Sequence, residues 1–104
     1  MRARISEPVF KRISELSFFA RSVFDDSIKS LFKKDYSLAD SAVTKAKTIA
    51  SMESEALKAI SKSLEPTKLS NIRIIMESIR RTAEYASDIA EIVLNLNVSQ
   101  ITET

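Results

Sequence analysis

The sequence predicts an all-α fold, an up-down-up antiparallel bundle of three helices, and three observations carry that expectation. The 104 residues contain no glycine, whereas tight hairpin turns lean on glycine for their positive φ angles. The two prolines, Pro8 and Pro66, fall at the edges of long periodic segments. Within those segments apolar residues recur at threes and fours, the spacing that lines one face of a helix. The chain reads as one domain over residues 1–104, long enough for a single core.

The first helix is expected over about 7–34. Ser6 is its N-cap candidate, and Pro8 is tolerated in the first turn. Its inner stripe is Val9, Ile13, Leu16, Ala20, Val23 and Leu31. Phe10, Phe24, Ile28 and Phe32 widen that stripe to one side, Phe19 lies on the other flank, and Phe18 stands nearly opposite. A helix that is apolar nearly all round is usually buried all round. This excess predicts a protein partner on the first helix, most simply a second copy, giving a dimer of six helices.

The second helix is expected over about 38–64, capped by Ser37, with Ala39, Ala42, Ala46, Ile49, Ala56, Ile60 and Leu64 facing inward. The third is expected over about 70–95, with Ser70 as a cap candidate and Ile72, Ile75, Met76 and Ile79 opening its stripe. Residues 97–104 carry no helix signal and are expected to fray. Connections around Asp35–Ser37 and Glu65–Lys68 are short, so consecutive helices run antiparallel.

Composition removes several function classes. There is no Cys and no His, which excludes disulfides, thiolate nucleophiles, zinc fingers and imidazole acid–base catalysis. A metal site would have to be built from oxygen. The absence of Cys fits a cytoplasmic location. Sixteen basic and fourteen acidic residues leave a net charge of +2. That balance argues against a nucleic-acid partner, which calls for a concentrated basic face. Lys29, Lys33 and Lys34 read as complements to a helix C-terminus. No apolar run is long enough to insert in a membrane, and the basic N-terminus lacks the apolar stretch of a secretory signal.

Two sets of acids stand in unusual places. Glu53 sits in the apolar stripe of the second helix, between Ile49 and Ala56. A carboxylate aimed at a core needs a cation or hydrogen bonds; it either snorkels out, pairs with an arginine such as Arg73 or Arg80, or serves a ligand. On the third helix, Glu84, Asp88 and Glu91 form a stripe beside the apolar face, with Glu77 ahead of them. Like charges at this spacing repel by roughly 0.2–0.5 kcal/mol per pair. They are either solvated or used, and Glu84–Asp88 is the only acidic pair spaced i,i+4 in the chain. Carboxylates one turn apart can share a hard cation, and neighbouring Ala83, Ala86, Ser87 and Ala90 leave room for one. Glu84, Asp88, Glu91 and Glu53 are therefore the candidate metal ligands. No catalytic constellation and no phosphate-cradling glycine loop is present.

The segment formed by Ile79, Arg81, Glu84-Tyr85-Ala86, Asp88-Ile89-Ala90-Glu91 and Ile92-Val93 resembles the third helix of a repeat in the PhoU family of phosphate-uptake regulators. That family's third helix carries an E(D)xxxD motif followed by an N/D-I-A-E run. Leu31–Val43 is similar to the family's turn into its second helix. The likeness spans about Val9 to Leu96. The resemblance implies a three-helix repeat, a non-enzymatic cytoplasmic regulator, and docking on a phosphate transporter or its sensor. It also implies a divalent or ferric metal (Fe, Zn, Mg, Mn or Ni) on the acidic stripe, and a pair of chains imitating the family's two-repeat arrangement. Arg80 departs from the family, which often has Glu there, and a second acidic motif is not evident. Two other readings stand beside this one: a structural dimerisation module with solvated acids, and a metal-dependent hydrolase.

Overall fold

Three helices form along the segments that the three-four spacing marks: α1 (Glu7–Lys33), α2 (Tyr36–Ser61) and α3 (Pro66–Glu103); α2 ends short of the expected Leu64, α3 opens four residues before the expected Ser70 cap, and the cap candidate Ser6 lies outside the described residues. The computed structural model describes residues 7–62 and 64–103, with side chains up to residue 96. Among the described residues there is no strand. Each helix packs against both others. The two short connections make α2 antiparallel to its neighbours and α1 parallel to α3. The outcome is a rod of 63 × 18 × 16 Å, the shape three long helices must give when they lie side by side.

The α1–α2 turn solves a problem that glycine usually solves. Lys34 adopts φ 52°, the one positive φ among the described residues. The Asp35 N–H then donates to the Ser30 carbonyl at 3.0 Å. This is the six-to-one bond of a Schellman motif, built here around a lysine. Asp35 serves the next helix as well: its carboxylate accepts from the Leu38 N–H at 3.0 Å, so Asp35 is the N-cap of α2. The expectation that Ser37 caps this helix is corrected; Ser37 lies within its first turn. At the other connection Pro66 opens α3, where its fixed φ suits the first helical position and its missing N–H is no loss. Glu65 supplies the preceding carbonyl, accepting from the Leu69 N–H at 2.9 Å.

The third helix departs from its expected end. Its backbone continues through residues 97–103, where the sequence reading expected a frayed tail. No glycine or proline follows Pro66, so nothing in the sequence stops propagation once the helix is nucleated. At 38 residues it outruns α1 with 27 and α2 with 26.

The core changes character along the rod. Towards the α1–α2 turn it is built from small residues: Ser27 and Ser30 of α1, Ala39, Ala42 and Ala46 of α2, Ala83, Ala86 and Ala90 of α3, all buried. The two serines satisfy their hydroxyls locally, donating to the carbonyls of Phe24 and Ser27 at 2.7 Å. Small side chains let helix backbones approach closely. Towards the other end Leu16, Ile49, Ile60, Ile72, Met76 and Ile79 fill the space. Two expected core residues lie outside it: Leu31 is 38% and Ile75 40% exposed. Burying Ser27 and Ser30 turns Leu31 toward solvent.

Candidate functional site

The acidic stripe on α3 is interleaved with arginines. Arg81 donates to Glu77 Oε1 at 2.8 Å. Arg80 reaches the same oxygen at 4.0 Å and Glu84 Oε1 at 3.4 Å. Residues at i−3 and i+4 of Arg80 share its side of the helix, so Glu77 and Glu84 bracket its guanidinium. These pairs are half in water and contribute little stability each. Their effect is on charge: the first carboxylates of the stripe face cations of their own helix. Asp88 and Glu91 are exposed and form no salt bridge among those found.

Glu53 is buried, 7% exposed, as its place in the α2 stripe predicts. It is paired with neither Arg73 nor Arg80. Its carboxylate oxygens are not among the fully buried atoms lacking a hydrogen bond. The side chain therefore buries its stem and keeps the carboxylate at the edge of solvent, the snorkelling arrangement.

A groove between α2 and α3, about 160 Å³ in volume, lies beside the acidic stripe. Ala46, Lys47 and Ala50 line it from α2, and Arg80, Ala83, Glu84 and Ser87 from α3. Arg80 presents an uneven surface here. Its side chain is 43% exposed, yet its Nε is fully buried and has no hydrogen bond. The 3.4 Å contact to Glu84 brings opposite charges together without hydrogen-bond geometry. Sequence reasoning noted Arg80 as a departure and did not see Lys47 at all. The E-x-x-R-x-x-x-E spacing of Glu77, Arg80 and Glu84 was a readable signal for the first; only packing places the second.

A separate feature covers the outside of α1 and α3. Phe10, Phe18, Leu31 and Phe32 of α1 are exposed, as are Ile74, Ile75, Tyr85, Ile92 and Leu96 of α3, whereas α2 exposes only Met52 among its large apolar side chains. Arg12 and Glu15 line the groove toward α2, and Phe10 and Phe32 lie away from that flank of α1. Ile74, Tyr85 and Ile92 fall on the solvent side of α3, opposite Ile72, Ala83 and Ala90. The sequence reading found the α1 half of this face. It missed the α3 half, whose members are spaced too widely to read as a stripe.

A metal ion requires several oxygens on one centre. Among the described residues no three acidic side chains group closely enough to hold one. Glu84 faces Arg80, and Glu53 lies in the α2 stripe. Within one chain, Glu84, Asp88, Glu91 and Glu53 do not fit a shared ion.

Comparison with known proteins bears on the fold directly. The PhoU domain model matches residues 13–93, well over half of the chain. No curated protein and no solved structure gives a significant match. The matched span takes in α2 and most of α1 and α3, with the Schellman turn and the Glu84–Glu91 segment. This three-helix chain belongs to the PhoU domain family, a family of phosphate-transport regulators.

Proposed function

We propose that the chain is a non-enzymatic regulator of phosphate uptake that acts by docking, through its α1–α3 face, on a phosphate transporter or its sensor. Family membership supports the process. The observation that carries the docking mode is the concentration of exposed large apolar residues on α1 and α3, with α2 nearly bare of them. Large apolar side chains exposed in number on two helices, rather than singly, fit a surface that meets another protein. Both signs of charge stand within the face, Arg21 and Asp25 on α1, Arg81 and Asp88 on α3. A helix surface that lies on anionic lipid is instead rich in Lys and Arg, so the mixture favours a protein. No helix of the described residues is long and apolar enough to cross a membrane.

The test is phosphate uptake in cells lacking the gene, complemented with the wild-type chain or with Phe18→Ser/Phe32→Ser and Tyr85→Ser/Ile92→Ser. Regulation restored by wild type and lost in both doubles, with unchanged melting temperatures, supports the reading. Uptake indifferent to the gene removes it. A second reading, a dimerisation module, draws on the same face: a self-complementary patch of mixed charge suits a two-fold interface. The uptake assay separates the two, because a pure dimerisation module leaves phosphate uptake unaltered.

A further inference from the structure

We propose that the outward face of α3 pairs antiparallel with the same face of a second copy of the chain, about a two-fold axis level with Tyr85. The sequence reading put a second copy on α1; the seam proposed here lies on α3. Ile74, Ser78, Arg81, Tyr85, Asp88 and Ile92 follow one another at alternating steps of four and three. That is the heptad spacing that keeps one stripe of a helix turned to a partner helix. All six residues are exposed. They stand across α3 from Ile72, Met76, Ile79, Ala83 and Ala90, which are buried. Ile74 is 61%, Tyr85 58% and Ile92 55% exposed, so large apolar side chains recur at heptad positions on a helix whose inner stripe is already covered.

The order of residues along the stripe selects a second copy over a foreign protein. Arg81 and Asp88 lie at equal distances from the point between Glu84 and Tyr85. A two-fold axis through that point reverses the helix and sets Arg81 level with the partner's Asp88. The same axis sets Asp88 level with the partner's Arg81. One residue of each sign thus yields two opposite-charge pairs, the reciprocity of an isologous interface. Tyr85 comes level with the partner's Tyr85 at the centre. Ile74 falls within one turn of the partner's Ile92 and the partner's Leu96, so apolar ends meet apolar ends. Parallel pairing in register would instead set Arg81 on the partner's Arg81 and Asp88 on the partner's Asp88. A foreign partner calls for no such symmetry.

The polar members of the stripe suit a covered position. Ser78 donates its hydroxyl to the Ile74 carbonyl at 3.1 Å, so it brings no unsatisfied donor into the seam. Asp88 forms no salt bridge among those found. Arg81 donates to Glu77 Oε1 at 2.8 Å and keeps 61% of its side chain exposed; a guanidinium has N–H donors to spare for a second carboxylate. The pairing goes beyond the docking reading and does not rest on it: mass reads the one and phosphate uptake the other.

The experiment is sedimentation equilibrium of the full-length chain over a concentration series, with native mass to identify the species. A dimer is expected. Arg81→Asp and Asp88→Arg, each alone, set like charges against each other at both symmetric places, and each raises the dissociation constant by about tenfold. Mixed in equal amounts, the two variants form a heterodimer at wild-type affinity, because both pairs are then of opposite sign. That rescue is independent of any effect of either change on folding. Phe18→Ser/Phe32→Ser on α1 leaves the dimer intact. A chain that stays monomeric at millimolar concentration overturns the proposal. So does a dimer that the single reversals leave unaltered, or a mixture without the heterodimer. A dimer dissociated by the α1 double and by neither reversal places the second copy on α1 and overturns it as well.

Discussion

Replacing Glu53 by methionine should stabilise the protein. Glu53 is 7% exposed and sits on a stripe with Ile49 at 0% and Ala56 at 3%. It has no hydrogen bond or salt bridge among those found to offset the partial desolvation of its carboxylate. Methionine keeps the length and flexibility of the side chain. The exchange turns a polar end into about 50 Å² of additional buried apolar surface, roughly 1 kcal/mol at about 25 cal/mol per Å². A gain of about 1 kcal/mol corresponds to roughly 4–8 °C in the melting temperature of a domain of this size. Thermal denaturation followed by circular dichroism measures it directly. Glu53→Gln, which removes charge and keeps polarity, should recover only part of the gain. A lower melting temperature for Glu53→Met, in protein freed of metal with chelator, would refute the reasoning and show that this carboxylate has a favourable partner in solution.

Three further substitutions probe the elements that position the groove. Lys34→Gly should stabilise by about 0.5–1 kcal/mol, the left-handed penalty of a side chain less the added freedom of the unfolded glycine chain, read as a higher urea midpoint at unchanged slope. Asp35→Ala should destabilise by about 1 kcal/mol through loss of the α2 N-cap, with Asp35→Asn close to neutral in the same denaturation series. Ala86→Leu, at a position 0% exposed in the small-residue layer, should cost about 1–3 kcal/mol or more by overpacking; a melting temperature equal to wild type would mean that this end of the rod is looser than its side chains indicate.

The helices were legible because their periodicity is local. Core positions such as Leu16, Ile49, Met76 and Ala86 follow from spacing alone. The ends were less legible. Ser37 is a good cap residue by type, yet Asp35 takes the role because the Schellman turn at Lys34 sets where the next helix begins. Leu31 outranks Ser30 in hydrophobicity, yet Ser30 is buried, because close packing at that end selects for size and the serine hydroxyl finds a carbonyl one turn back. The acidic stripe was read correctly as a stripe. Its partners were not, since Glu84 is defined as much by Arg80 as by Asp88. Lys47 was invisible: nothing in the second helix alone says which of its lysines will lie across a groove from an arginine on the third.

The alanines of α3 connect these levels. Ala83 and Ala86 are buried, and Ala83 forms part of the groove floor. With larger residues there, α2 and α3 would stand further apart and Lys47 would look across open solvent. Close approach therefore keeps the groove narrow, with Lys47 and Arg80 of different helices both on its lining. The same approach presses the stem of Arg80 against the bundle, burying Nε while the guanidinium tip stays wet. The fold thus supplies a small inter-helix groove whose width is set by the small residues of α2 and α3 that line it.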